Sequence, residues 1–468
     1  MRVLELRPSV RRTEPKWPPR LLLLFLSITF LGGGSARADI PSLVILRPLA
    51  GILLAIAAYH LQSAHVRKFR FLCGYAVAVL GGILIYLVPL PPSLWQSLPA
   101  RALATEAART AGEAGYWQPL SLVPTGTRNA LYSLLVPLCT LSLAIQTRTT
   151  LRQRVPLLFL IAGLASMVLG IVQMVGPPGG ALSFYPLSTD FAPVGLFANR
   201  NHQAVFLACL LPLAAWFGSR LGQKFGPWHD LGFCALALLL AVPTILISGS
   251  RAGLLLSLVG LCLMPWVRET KAPWPPRLRA YGLVGSGFVV AMAIGIIWMH
   301  EATGFGRLIH SGGSDRRFEA WGPIAHETIA QFPVGAGWGG FVQAFQVVEP
   351  YRLLQLTYLN HAHNDWLETV FTGGLAGLLL LIAATIGWSI ATARIARGPA
   401  GSQALKRVGA AIIFMLGLAS VFDYPLRVPS LQCLFVIAAV WLADENQAIL
   451  TRRVRQQHEG ERPVGEKA

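Results

Sequence analysis

Four ionisable side chains and an amide fall within eight residues at His361-Ala-His363-Asn364-Asp365-Trp-Leu-Glu368, and the apolar run Thr369–Thr392 follows directly. Imidazole, carboxylate and amide groups are costly to desolvate at the mouth of an apolar helix, so their clustering there points to a polar substrate. A histidine, with a reference pKa of about 6.5, is the side chain best poised to accept a proton near neutral pH. His361 and His363 both stand where a loop becomes an apolar segment. The competing reading for either one is a structural histidine at a helix mouth. Asp365 is expected to cap the helix, with Glu368 three residues on completing a capping-box-like pair. Gly374 and Gly377 are expected to give a small face that a neighbouring helix can approach.

Four arginines complete the set. Arg200 lies in Phe197-Ala-Asn-Arg-Asn-His202, Arg251 in Gly249-Ser-Arg-Ala-Gly253, and Arg316 and Arg317 open an amphipathic stretch. Any one of them alone could be a snorkelling or headgroup-contacting residue. Together, at span entrances on the side where positive charge is scarce, they suit an anionic ligand, because guanidinium recognises phosphate in a two-pronged way. No Asp-x-Asp occurs in the chain, so a divalent-metal clamp on an anionic ligand has no evident ligands.

The elements that must position these groups are membrane helices. Hydrophobic residues make up 54% of the chain and charged ones 13%, with a mean hydropathy of +0.55. A spanning helix needs about 20 apolar residues. About twelve candidate spans lie near 21–37, 43–61, 70–90, 128–147, 155–176, 202–218, 231–249, 252–268, 281–299, 366–393, 408–422 and 429–443. Placing both termini in the cytoplasm puts every lysine (Lys16, Lys68, Lys224, Lys271, Lys406, Lys467) in an inner segment. The net charge of +18 is therefore the positive-inside rule at work rather than a nucleic-acid surface. The resulting organisation is an N-terminal cytoplasmic segment with two spans (1–69), spans three to nine (70–299), a large outer loop (300–365), spans ten to twelve (366–443) and a basic tail (444–468). Basic residues before Leu21–Leu31, followed by Ala36-Arg37-Ala38, also fit a secretory signal; an uncleaved first span is the expectation. The six cysteines sit in or at the ends of spans without a CxxC and read as apolar packing residues.

Three outer segments are sizeable: 91–127, 177–201 and 300–365. The last is far longer than a connection needs. Within it, 314–332 carries apolar residues at Phe318, Trp321, Ile324, Ala325 and Ile329, the period of an amphipathic helix lying on the outer face and ended by Pro333. Pro323 is expected to kink or split it. Gly335, Gly337, Gly339 and Gly340 suggest a tight, closely packed turn.

The twelve-span plan, the long loop before the tenth span and the His363-Asn364-x9-Gly374-x-x-Gly377 pattern resemble the O-antigen ligase and polymerase superfamily of bacterial inner-membrane glycosyltransferases. Phe197–His202, Gly249–Gly253 and Phe422-Asp423-Tyr-Pro-Leu-Arg427 resemble its other landmarks, and the likeness covers roughly 70–443. It implies a GT-C-like fold in the inner membrane with a periplasmic active site. The implied reaction passes a glycan from undecaprenyl diphosphate to an acceptor hydroxyl, on lipid A-core or on another glycan, with inversion and without metal or nucleotide cofactor. By the same resemblance His363 is the general base, Arg200 and Arg251 hold the diphosphate, and Arg317, Arg316 and Asn364 are further substrate-binding candidates. O-antigen ligase is the first reading. A polymerase with the same donor is the alternative, and a transporter or flippase is a second; the scarcity of ionisable groups at mid-span and the lack of matching halves speak against transport.

Overall fold

The computed structural model describes residues 17–444 apart from 149–153, 178–179, 181, 186–191, 270–315, 355–357, 397 and 399. The expected span at 281–299 and the first part of the long outer loop lie outside the described residues. Besides four short helices (Ser63–Lys68, Pro92–Gln96, Ala102–Thr110 and Phe341–Gln346), the described helices are α1 (Trp17–Gly32), α2 (Leu43–Tyr59), α3 (Arg70–Leu84), α4 (Pro124–Ser133), α5 (Leu135–Gln146), α6 (Val155–Val175), α7 (Arg200–Phe225), α8 (Pro227–Ser248), α9 (Arg251–Val267), α10 (Arg316–Gln331), α11 (Asp365–Ala396), α12 (Ala400–Phe422) and α13 (Pro429–Ala443). Among the described residues the sole sheet is the two-residue pair β1 (Pro89–Leu90) and β2 (Gln118–Pro119). Among the described residues seven helical stretches, with α4 and α5 joined, are long and apolar enough to cross a bilayer, and α1, α2, α9 and α13 are shorter apolar helices. The chain is an all-α polytopic membrane protein.

Helix α7 is the hub, buried along most of its length and packed against α6, α8, α9 and α12. In lipid, helix association relies on close packing rather than on escape from water, and small residues supply it here. A side chain at Gly253 of α9 would collide with Ala204 of α7, and one at Gly260 would crowd the Ala208 carbonyl.

The second organising feature is a break in α11. Gly374 has φ 50° and ψ −134°, so the helix is interrupted there. The loop Pro333–Gly337 is hydrogen-bonded to the interrupted turn: Leu375 N–H donates to Pro333 O (2.8 Å), Ala336 N–H to Phe371 O (3.0 Å) and Gly337 N–H to Thr372 O (2.9 Å). The Tyr86 hydroxyl donates to Gly373 O (2.9 Å) and Val334 O. The expectation that a neighbouring helix uses the Gly374–Gly377 face is thus corrected. What approaches Gly374 is loop backbone, because the break exposes carbonyls and amides that need partners. A β-carbon at Gly374 would run into the Pro333 and Val334 carbonyls at a φ that L side chains rarely adopt. Gly374→Ala is expected to cost roughly 2 kcal/mol or more, read as earlier thermal loss of folded protein in detergent; unchanged thermal stability would show that the break tolerates a side chain.

Helix α10 runs unbroken through Pro323, so the expected split does not occur. Its inward residues are Ala320, Ile324, Thr328 and Gln331, whereas Phe318 and Ile329 face outward. The expected helix is present, and Ala320 and Ile324 pack into the loop core of Phe341, Phe345 and Phe371. The Gly335–Gly340 turn is closely packed as expected, with positive φ at Gly335, Gly337 and Gly339. It meets the segment after β2, where Leu122 N–H donates to Ala336 O and Thr127 Oγ1 to Trp338 O.

Candidate active site

Four chain segments meet at one end of the bundle: the start of α7, the α8–α9 hairpin, the loop leading into α11, and the link between α12 and α13. Each is set by local chemistry. Asn199 caps α7 by accepting from Asn201 N–H (2.8 Å). In the hairpin, Gly249 takes the left-handed conformation that closes α8, and Ser250 Oγ accepts from Gly253 N–H (3.1 Å) to start α9. The motif Gly249-Ser-Arg-Ala-Gly253 is therefore a C-cap, an N-cap and a close helix approach in five residues.

Asp423 lies at the centre. Its buried carboxylate accepts from Asn201 Nδ2 (3.0 Å) and from Tyr424 N–H (3.0 Å), and its Oδ1 lies 3.3 Å from His363 Nδ1. Arg317 Nη1 stands 4.0 Å away and His202 Nε2 3.9 Å. Burial by itself would raise the Asp423 pKa; the His363 hydrogen bond, the His202 imidazole and the Arg317 guanidinium outweigh it and hold the carboxyl well below the usual range. Three imidazoles surround the Tyr424 ring, with centroids at 4.3 Å (His361), 4.9 Å (His363) and 5.1 Å (His202). Burial pushes the Tyr424 phenol up to about 12, so it stays protonated at neutral pH.

A second ion network fixes the loop. Arg427 Nε binds Asp365 Oδ1 (2.9 Å) and its Nη2 binds Glu368 Oε1 (3.1 Å), while His361 Nδ1 lies 3.0 Å from that same Glu368 oxygen. Glu368 Oε2 accepts from Ala362 N–H (2.8 Å), and Ala362 O accepts from Trp321 Nε1 of α10 (3.1 Å). The capping expectation is corrected: Asn364 caps α11 by accepting from Leu367 N–H (3.0 Å). Asp365 and Glu368 are instead turned to Arg427, because a buried carboxylate needs a charged partner more than a helix end needs a second cap. His363 has φ 48°, a conformation that non-glycine residues hold only when their surroundings enforce it; here the Asp423 contact and the Tyr424 ring do so.

The anticipated site residues fall as follows. His363 and Arg317 meet at Asp423. Arg200 is one residue before the Asp423-bound Asn201, and its Nη1 donates to Ser248 O (3.2 Å), three residues before Arg251, which is exposed. Asn364 is the α11 cap. Arg316 opens α10, and its side chain is outside the described residues. Asp423, Tyr424, Arg427 and His202 were not assigned roles from sequence, although they sit in the singled-out motifs. The available signal was an acid and an arginine, Asp423 and Arg427, in a short interruption between two apolar runs. Among the described residues no group of three or more His, Cys, Asp or Glu is arranged to hold a metal.

Residues 235–382 match the family described as O-Antigen ligase. The chain is also 30% identical over 216 residues to the exopolysaccharide production protein ExoQ of Rhizobium meliloti (strain 1021), an alignment covering 43% of this chain and 47% of that protein. The chain thus aligns with a little under half of that relative's length. Together with the all-helical membrane fold, these partial matches support a likeness to the O-antigen ligase and polymerase superfamily.

Proposed function

We propose that the chain is a metal-independent, inverting glycosyltransferase of the bacterial inner membrane. It takes a glycan from undecaprenyl diphosphate and joins it to an acceptor hydroxyl on the periplasmic face, most simply as an O-antigen ligase acting on lipid A-core. The observation that carries this reading is the His363–Asp423 pair set among arginines at a bundle end. With Nδ1–H directed to Asp423, the neutral imidazole keeps its Nε2 lone pair for the acceptor hydroxyl proton. The imidazolium that forms is balanced by a carboxylate whose lowered pKa keeps it ionised.

Arg200 and Arg251 hold the donor diphosphate and offset the charge that grows on the leaving group as the anomeric C–O bond breaks. The acceptor oxygen attacks from the opposite side, which inverts the anomeric centre. Arg317, beside Asp423 on α10, and Arg316 next to it bind further anionic or hydroxyl groups. Asn364 Oδ1 is committed to the helix cap, so its amide nitrogen is the part left to donate to a sugar. A second reading, in keeping with a relative named for exopolysaccharide production, is a polymerase with the same donor chemistry and a glycan acceptor.

The test is transfer by purified protein given a polyprenyl-diphosphate glycan and each acceptor. Sugar on lipid A-core marks a ligase, a lengthened lipid-linked chain marks a polymerase, and no transfer to either overturns the proposal. In the same assay Arg200→Ala and Arg251→Ala are each expected to lower turnover by roughly 10²-fold, and EDTA to leave the wild type unaffected; strong inhibition by EDTA would replace the arginine role with a metal.

A further inference from the structure

Away from the ion networks, a groove of about 560 Å³ runs between α2 and the α4–α5 helix, bordered by Ile40, Val44, Gly51, Tyr132 and Leu135, with Arg47 on its wall. It opens at the same end of the bundle as Asp423, because the segment before α2 is tied there: Ala198 N–H donates to Gly34 O and Ser430 N–H to Gly33 O. Arg47 has no hydrogen-bond or ion-pair partner among the described residues, and its Nε is buried and unsatisfied. The acid on the groove rim, Asp39, is already held by Arg37 in a two-point pair (2.9 and 2.6 Å). An open, mostly apolar groove thus carries one cation that no described residue pairs.

Arg47 lies four residues into α2, about 6 Å along its axis, within reach of the headgroup–acyl boundary for a long side chain. An unpaired guanidinium at that depth is costly, and a lipid phosphate is its natural counterion, since guanidinium binds phosphate through paired donors. The hollow below suits an acyl chain: a β-carbon at Gly51 would meet nothing within 4 Å, and Val44 and Leu135 border the same space. We infer that this groove binds an anionic phospholipid, with the phosphate on Arg47 and one acyl chain along Val44, Gly51 and Leu135. A lipid with net negative charge is specified because Arg47 needs a whole counter-charge. In a zwitterionic headgroup the choline cancels it.

The experiment is native mass spectrometry of the full chain in mild detergent with phosphatidylglycerol or phosphatidylcholine. Wild type is expected to retain phosphatidylglycerol roughly tenfold better than phosphatidylcholine, and Arg47→Gln to lose that preference. Arg47→Lys should keep part of it. Gly51→Leu fills the hollow without touching the charge and should lower retention of phosphatidylglycerol several-fold. Equal retention of the two lipids by wild type, or an unchanged preference in Arg47→Gln, overturns the site. Should Arg47→Gln not accumulate, Gly51→Leu decides, and undiminished retention in it overturns the site as well.

Discussion

His363→Ala is expected to abolish glycan transfer while the protein still accumulates, folded, in the membrane. A general base contributes on the order of 10²–10⁴ in rate, and among the described residues no second imidazole is placed to take over. His361 is engaged with Glu368, and His202 is buried behind Asp423. The stability loss should be modest, because His363 is partly accessible and the buried Asp423 carboxylate it would leave still accepts from Asn201 Nδ2 and Tyr424 N–H. The φ of 48° at His363 even adds strain that alanine would share rather than relieve. The comparison to run is initial rate of transfer against thermal unfolding in detergent. Retained activity in a folded His363→Ala protein removes this residue from the mechanism.

The second large effect belongs to Asp423. Asp423→Asn keeps the shape but removes the charge that balances a His363 imidazolium, and it sets an amide against Asn201. Loss of an orienting aspartate in a comparable histidine pair costs up to about 10⁴ in turnover, so a fall of roughly 10²-fold or more is expected here. The loss should fall on kcat rather than KM, since in the proposed mechanism Asp423 orients the base and does not hold the donor. A rise in KM with kcat unchanged would make Asp423 part of the donor site instead. The sign of its pH effect follows from the lowered pKa. A carboxyl whose folded pKa lies below its unfolded value of about 3.9 gives its full stabilisation above that value and loses it only as pH falls through the folded pKa. Between about pH 5 and 8, therefore, stability should show no step from Asp423.

Much of this was legible in the chain. Hydropathy located the apolar helices because a bilayer leaves the backbone little alternative. The junction at 361–368 stood out because so many charges sit beside so much apolar sequence. The partner choices were hidden. Asp365 has the residue type and spacing of a cap, yet Asn364 caps and Asp365 pairs with Arg427, a contact made across two helices. Asp423 lies 60 positions from His363, and nothing in spacing joins them; only the packing of α12 beside α7 and α11 does so. Gly374 looked like a helix-packing glycine because small residues serve both uses, and a positive φ leaves no other mark on sequence. The outward turn of Phe318 on α10 was equally silent, since periodicity fixes a stripe without saying which neighbour it meets.

The break at Gly374 divides α11 into two rods of different purpose. The stretch from 375 to 396 alone measures about 33 Å, close to the hydrocarbon thickness of roughly 30 Å, so it crosses the membrane without help from the residues before it. The nine residues ahead of the break are thereby released from spanning and serve as a platform standing at the water boundary. In the proposed mechanism the lower rod sets the elevation of His363 above the lipid, a built-in gauge of membrane thickness, and the site keeps its level where the bilayer matches that rod.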